Sequence, residues 1–141
     1  MDEHPIVVEN LVKYYEGRCV LNGIDLEVPR GCIYGLLGRN GCGKTTLIRT
    51  LLGLEPPTRG RTTLLGHDSR RLSARARARI GYVAEGHNLI QNYRVRRLIS
   101  LCRDLSLHWN EAFFSQLMET FRLPMDRKIK ELSAGMRAEL N

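Results

Sequence analysis

The chain has 141 residues, 26% of them charged and 43% hydrophobic: enough for one modest core, and a composition that excludes disordered, collagen-like and coiled-coil chains. Its longest apolar stretches, such as Cys32 to Leu37, fall far short of the roughly 18 residues a membrane-spanning helix needs. The net charge of +7 is uneven, with −1 in residues 1–58 and +8 in residues 59–141, and seven arginines face a single acid, Asp68, between Arg59 and Arg79.

The opening Met1-Asp2-Glu3-His4-Pro5 has neither the positive start nor the apolar run of a secretion signal, so the cytosol is the expected compartment. Cys19, Cys32, Cys42 and Cys102 form no CxxC pair, which points to free thiols rather than a disulfide framework or zinc. Residues 6–9 and 19–28 are predicted strands, the second through the alternation of Ile24, Leu26 and Val28 with Asp25 and Glu27, as in a half-exposed antiparallel sheet. After the turn at Pro29-Arg30-Gly31, the unbroken apolar run Cys32–Leu37 predicts a parallel strand buried on both faces. Leu47, Ile48, Leu51 and Leu52 then recur at helical spacing up to Gly53, and Pro56-Pro57 blocks continuation. Thr62 to Leu65 and Ile80 to Val83 are further predicted strands, with a short helix in Arg70–Arg79 between them.

From Asn92 the pattern turns helical. Val95, Leu98, Ile99, Cys102 and Leu105 form one stripe, and Trp109, Phe113, Leu117 and Phe121 a second, which predicts two amphipathic helices buried along those faces. Pro124 ends this run and a linker is expected up to Leu132.

The segment Gly38-Arg39-Asn40-Gly41-Cys42-Gly43-Lys44-Thr45 fits G-x-x-x-x-G-K-[ST] and lies between a predicted buried strand and a helix, where a phosphate loop belongs. Its glycines let successive backbone N–H groups point at phosphate oxygens, and the helix dipole adds to the attraction. Lys44 is expected at the β- and γ-phosphates, Thr45 on Mg²⁺ and Thr46 near the α-phosphate, so the expected ligand is a nucleoside triphosphate with Mg²⁺. Cys42 sits beside Lys44 at the helix N-terminus; a small filler is the first reading and a reactive thiol the second.

These residues resemble the ATP-binding cassette (ABC) ATPases, in register along essentially the whole chain. The resemblance implies an α/β phosphate-loop NTPase fold, here an antiparallel sheet and phosphate-loop core followed by a helical subdomain. It assigns residues 1–91 to the nucleotide-binding core, 92–131 to the helical subdomain and 132–141 to the signature motif and the start of its helix. In Asn10-Leu11-Val12-Lys13-Tyr14-Tyr15 it makes Tyr15 the adenine-stacking residue, with Tyr14 in reserve. Ile80–Glu85 resembles the strand entering the family's Q-loop, with Glu85 where the family has glutamine, expected to touch Mg²⁺ and the attacking water. Leu132-Ser133-Ala134-Gly135-Met136 resembles the signature Leu-Ser-Gly-Gly-Gln, in which Ser133 and Gly135 keep the capacity to donate to a γ-phosphate held by another subunit.

The resemblance also implies the partners: a second ATP-binding subunit and a separate transmembrane permease, which would hold the chain peripherally on the inner face of the cell membrane; nucleic acid is not an expected partner. Walker B acids and the switch histidine, which the family places beyond the signature motif, do not occur within these 141 residues. Residues 1–141 alone are therefore expected to be poorly stable and not to turn over ATP. Two alternatives stay open: a non-hydrolysing ATP-binding remnant or regulator, and a soluble ABC protein acting on nucleic acid or ribosomes.

Overall fold

A computed structural model describes residues 3–84 and 89–141. The chain divides into two compact units, Met1–Arg79 and Ile80–Asn141, each built by a different kind of contact.

The first unit is an antiparallel sheet with a helix packed on it. Strands β1 (Ile6–Tyr15) and β2 (Arg18–Val28) form a hairpin, and β3 (Arg59–Leu64) and β4 (His67–Asp68) complete the order β2-β1-β3-β4. The first hairpin closes through Glu16 and Gly17, both at positive φ, the two-residue turn whose twist matches that of the strands. Midway along β1 the ladder shifts at Glu9–Asn10. There Asn10 takes a positive φ and its N–H donates to Asp25 Oδ1 at 2.7 Å, while Gly60 crosses so close to the Asn10 carbonyl that a Cβ would strike it.

Helix α1 (Lys44–Leu51) lays Leu47 and Leu51 against Val8, Leu11 and Leu21, with Ile6, Ile24 and Leu26 at the margin. Burying such side chains contributes about 1.5–3 kcal/mol each. The arginine-rich segment is not one helix. A 3-10 turn at Ser69–Arg71 and the four-residue α2 (Ala74–Arg77) are separated by extended Leu72, and each has its own side-chain cap, from Asp68 and Ser73. Asp68 also pairs with Arg70 at 2.8 Å, and these bonds hold its carboxyl well below the usual carboxylate range.

Two expected strands are absent. Residues 32–37 and 80–83 pair with no strand among the described residues, and Ile33, Leu37 and Val83 lie in the open. An unbroken apolar run marks a strand that needs neighbours on both sides, and every described strand pairs antiparallel within the β2-β1-β3-β4 sheet.

In the second unit, α3 (Val95–Leu105), α4 (Glu111–Phe121) and α5 (Ala134–Leu140) enclose Val95, Ile99, Leu123 and Leu132, flanked by Trp109, Phe114, Met118, Met125, Met136 and Leu140. The second predicted stripe departs at one position: Phe113 is exposed, whereas Phe114 packs its ring 5.1 Å from Trp109, and Leu117 and Phe121 line the same hollow as these two rings. Asn110 caps α4 through the Phe113 N–H, so Trp109 stands outside the helix and the count of four from it does not apply. In the first stripe Val95 and Ile99 are buried, while Cys102 and Leu105 are exposed near the end of α3.

The expected linker is instead a packed strap. Arg127 and Met125 accept from the N–H groups of Val95 and Arg96, Ile129 donates to Tyr93, and the Ile129 side chain is fully buried in a 3-10 turn, Ile129–Glu131.

Candidate phosphate loop and its surroundings

The loop preceding α1 turns on two left-handed glycines, Gly41 at φ 79° and Gly43 at φ 98°. Gly43 is buried against β2: a Cβ there would lie 2.8 Å from Leu21 Cδ2 and 2.9 Å from the Val20 carbonyl. Glycine is thus required twice over, by conformation and by space. The first helical bond, Leu47 N–H to the Gly43 carbonyl at 2.8 Å, starts the helix at that point, and the amides before it have no helical carbonyl behind them.

Lys44 bends back across the loop. Its Nζ donates to the carbonyls of Gly38 at 2.6 Å and Arg39 at 2.9 Å and lies 3.8 Å from Cys42 Sγ. The loop closes on itself through Cys42 N–H to the Arg39 carbonyl at 3.3 Å. A Cβ on Gly38 would meet Cys42 Sγ, so a small residue at 38 and the thiol at 42 fit one another. Asn40 and Thr45 are exposed and Thr46 is half-buried. An ammonium, a left-handed glycine turn and a helix N-terminus converge here, the arrangement that accepts an anion.

Tyr15 belongs to the same unit. Its phenol donates to Glu55 Oε2 and interacts with the Thr46 hydroxyl in the first turn of α1. The bond to Glu55 is the main reason its ionisation lies above the ordinary tyrosine value, with partial burial adding to it. The residue remains 40% exposed. Tyr14, the reserve, points elsewhere; its hydroxyl interacts with Cys19 on β2, which raises its ionisation too.

The other predicted site residues lie in or beside the second unit. Ser133 caps α5, accepting from the Met136 N–H at 3.2 Å, and Gly135 sits exposed in the first turn. Glu85 lies outside the described residues. No cluster of three or more His, Cys, Asp or Glu able to hold a metal occurs among the described residues, and none of their helices is long and apolar enough to cross a membrane.

Sequence reasoning missed Arg49, Glu55 and Lys13, which lie around Tyr15. One signal was available: Glu55 is the sole acid between Glu27 and Asp68.

A family model described as ABC transporter matches residues 21–141. The chain is 37% identical over 145 residues to Nod factor export ATP-binding protein I of Burkholderia orbicola, covering 99% of this chain and 48% of that protein. With the protein of the same name from Azorhizobium caulinodans the identity is 42% over 125 residues, 84% of this chain and 38% of that one. The chain thus spans about half the length, or less, of these curated relatives.

Among solved structures, an ATP-binding subunit of an ABC transporter superposes with a TM-score of 0.81 at 26% identity, covering 96% of this chain and 58% of that one. A putative ABC transporter ATP-binding protein from Pyrococcus furiosus, at 21% identity and a TM-score of 0.74 over 96% of this chain and 66% of that one, shows the same fold. The α/β phosphate-loop fold expected from the sequence is the fold of these proteins, its central run 32–37 unpaired among the described residues.

Proposed function

The chain belongs to the ABC transporter family, and from that premise we propose that it forms the nucleotide-binding part of an ATP-binding subunit that drives transport through a separate permease. The single observation that carries this reading is the Gly38–Thr45 loop, with Gly43 locked against β2 and the Lys44 ammonium folded over the loop carbonyls. In our reading an entering triphosphate offers Lys44 charged acceptors in place of the Gly38 and Arg39 carbonyls, and charge-assisted bonds are about twice as strong as neutral ones. The backbone N–H groups of the loop and of Lys44, Thr45 and Thr46 take the remaining phosphate oxygens. Tyr15, on the strand beside Thr46, stacks on the base.

An exposed threonine hydroxyl in the first turn of the helix suits Mg²⁺, which keeps most of its waters and is held largely by substrate phosphates. Thr45 would hold it, with Glu85 as the second protein oxygen, and the ion would neutralise charge on the β- and γ-phosphates. Residues 1–91 are proposed as the nucleotide core, 92–131 as the helical subdomain, and Ser133 and Gly135 as the donors that meet nucleotide bound to a second subunit.

The matched relatives are named for export, so outward transport is the direction we propose, from a cytoplasmic position on the membrane permease. Hydrolysis needs a carboxylate beside the metal and a group that orients water, and within residues 1–141 only Glu85 is proposed near either role; residues 1–141 alone should bind nucleotide without sustained turnover.

Titration of the chain with a fluorescent ATP analogue and Mg²⁺ tests the reading. Lys44→Ala should weaken binding about 10- to 100-fold through loss of charged hydrogen bonds. Equal affinity in the two proteins would overturn the assignment of the loop.

A further inference from the structure

The end of β1 is fastened to the segment that follows α1 by a set of long-range bonds. The Tyr15 phenol donates to Glu55, the Lys13 ammonium donates to the Pro56 carbonyl at 2.7 Å, the Tyr14 N–H donates to Thr58 Oγ1 at 3.0 Å, and the Thr58 N–H donates to the Val12 carbonyl at 2.9 Å. Glu55 is itself held by Arg49 of α1, Nε to Oε1 at 2.9 Å. Lys13 is buried, and its ammonium lies 4.8 Å from the centroid of the Tyr15 ring, a cation–π contact.

The end of α1 delivers Glu55 to this place. The Gly53 N–H bonds the Thr50 carbonyl at 3.0 Å and the Leu54 N–H bonds the Arg49 carbonyl at 2.9 Å, with Gly53 left-handed at φ 67°. This glycine-terminated cap reverses the chain, and a Cβ on Gly53 would strike the Ser69 carbonyl. The reversal brings residue 55 back beside residue 49, and the two prolines that follow stiffen the segment at Pro56, where Lys13 is tied.

A hydrogen bond at the hydroxyl, a cation at the ring and an ion pair behind the carboxylate restrict Tyr15 far more than strand packing requires for a side chain this exposed. We propose that Glu55, seated by Arg49, and Lys13 are positioning residues that hold the Tyr15 ring in place, before ligand arrives, as a base-stacking platform next to the phosphate loop, so that the chain binds a nucleotide more tightly than a bare polyphosphate. The inference rests on the reading of Tyr15 as the base-stacking residue. A ring ordered in advance does not lose its rotational freedom on binding, and that saving appears as affinity. The platform reads any base through its π face, and the phosphate loop acts independently of it.

The experiment compares the affinity of the chain for Mg-ATP and for Mg-tripolyphosphate, which has the phosphates and no base. Glu55→Ala should weaken ATP binding about three- to tenfold, part of what base stacking is worth, and leave tripolyphosphate unchanged. Tyr15→Phe, which keeps the ring and removes the same bond, should reproduce that loss, and the double variant should lose no more than either. Glu55→Gln, which still accepts from the phenol, should recover most of the affinity. Ultraviolet titration of tyrosinate, taken as the difference between each protein and its Tyr15→Phe counterpart with Glu55 intact and with Glu55 as alanine, should show Tyr15 ionising at lower pH once Glu55 is alanine.

Tyr15→Ala separates the two levels of the claim. If it leaves ATP and tripolyphosphate affinities both unchanged, the stacking reading itself fails. If it weakens ATP alone while Glu55→Ala does not, stacking stands and the positioning role is overturned. An equal loss of ATP and tripolyphosphate binding in Glu55→Ala would also overturn it, since Glu55 would then be supporting the whole loop.

Discussion

The two flanks of the phosphate loop are held in opposite ways. On the helix side, Gly43 is pressed onto β2, Leu47 and Leu51 enter the core, and the chain reverses at Gly53 to bring Glu55 back onto Arg49. On the other side, residues 32–37 carry a more apolar sequence than the helix, yet Ile33 and Leu37 lie in the open and no described strand pairs with them. The difference shows that apolar character by itself does not bury a segment. The helix meets a ready partner in the β1–β2 hairpin, whereas a two-sided strand needs neighbours that the antiparallel sheet does not supply.

The largest test of this contrast is on the helix side. Gly43→Ala forces a side chain into a left-handed conformation and against Leu21 and Val20. It should cost about 2–5 kcal/mol, from backbone strain together with overpacking, a large share of a typical domain's stability. Urea denaturation followed by circular dichroism measures it. A loss below about 1 kcal/mol would mean that the loop is not pinned at this glycine.

On the other flank the expected effect is small. Ile33→Ser together with Leu37→Ser should change unfolding free energy by no more than about 0.5 kcal/mol per site, because neither side chain is buried in the first unit. The same pair should reduce concentration-dependent association, since exposed apolar residues in a row invite it. A substantial loss of stability would show that this run is packed in solution and would erase the contrast.

What could be read from residue order follows the range of the interactions. Strand β2 was legible because Ile24, Leu26 and Val28 alternate with acids, whereas β1, expected over residues 6–9, runs on to Tyr15; the glycine turn into α1 was legible because its glycines and Lys44 act within eight residues. Residues 32–37 announced a wish for burial but not the partner that burial requires. Trp109 and Phe113 have helical spacing, yet the cap at Asn110 starts the helix after the tryptophan and turns Phe114 inward instead. Ile129 looked like linker because a single buried residue has no periodicity. The grip of Glu55 on Tyr15 spans 40 residues and depends on a chain reversal at Gly53, so no local pattern announces it.

The central claim is that the Gly38–Thr45 loop closes around a triphosphate. The most direct measurement is residue-resolved alkylation of the four cysteines, all free and exposed, read by mass spectrometry with and without Mg-ATP. The account predicts that nucleotide slows alkylation of Cys42 strongly, leaves Cys19, Cys32 and Cys102 as unchanged internal controls, and gives no protection in Lys44→Ala. Alkylation of Cys42 at the same rate in saturating Mg-ATP would contradict it.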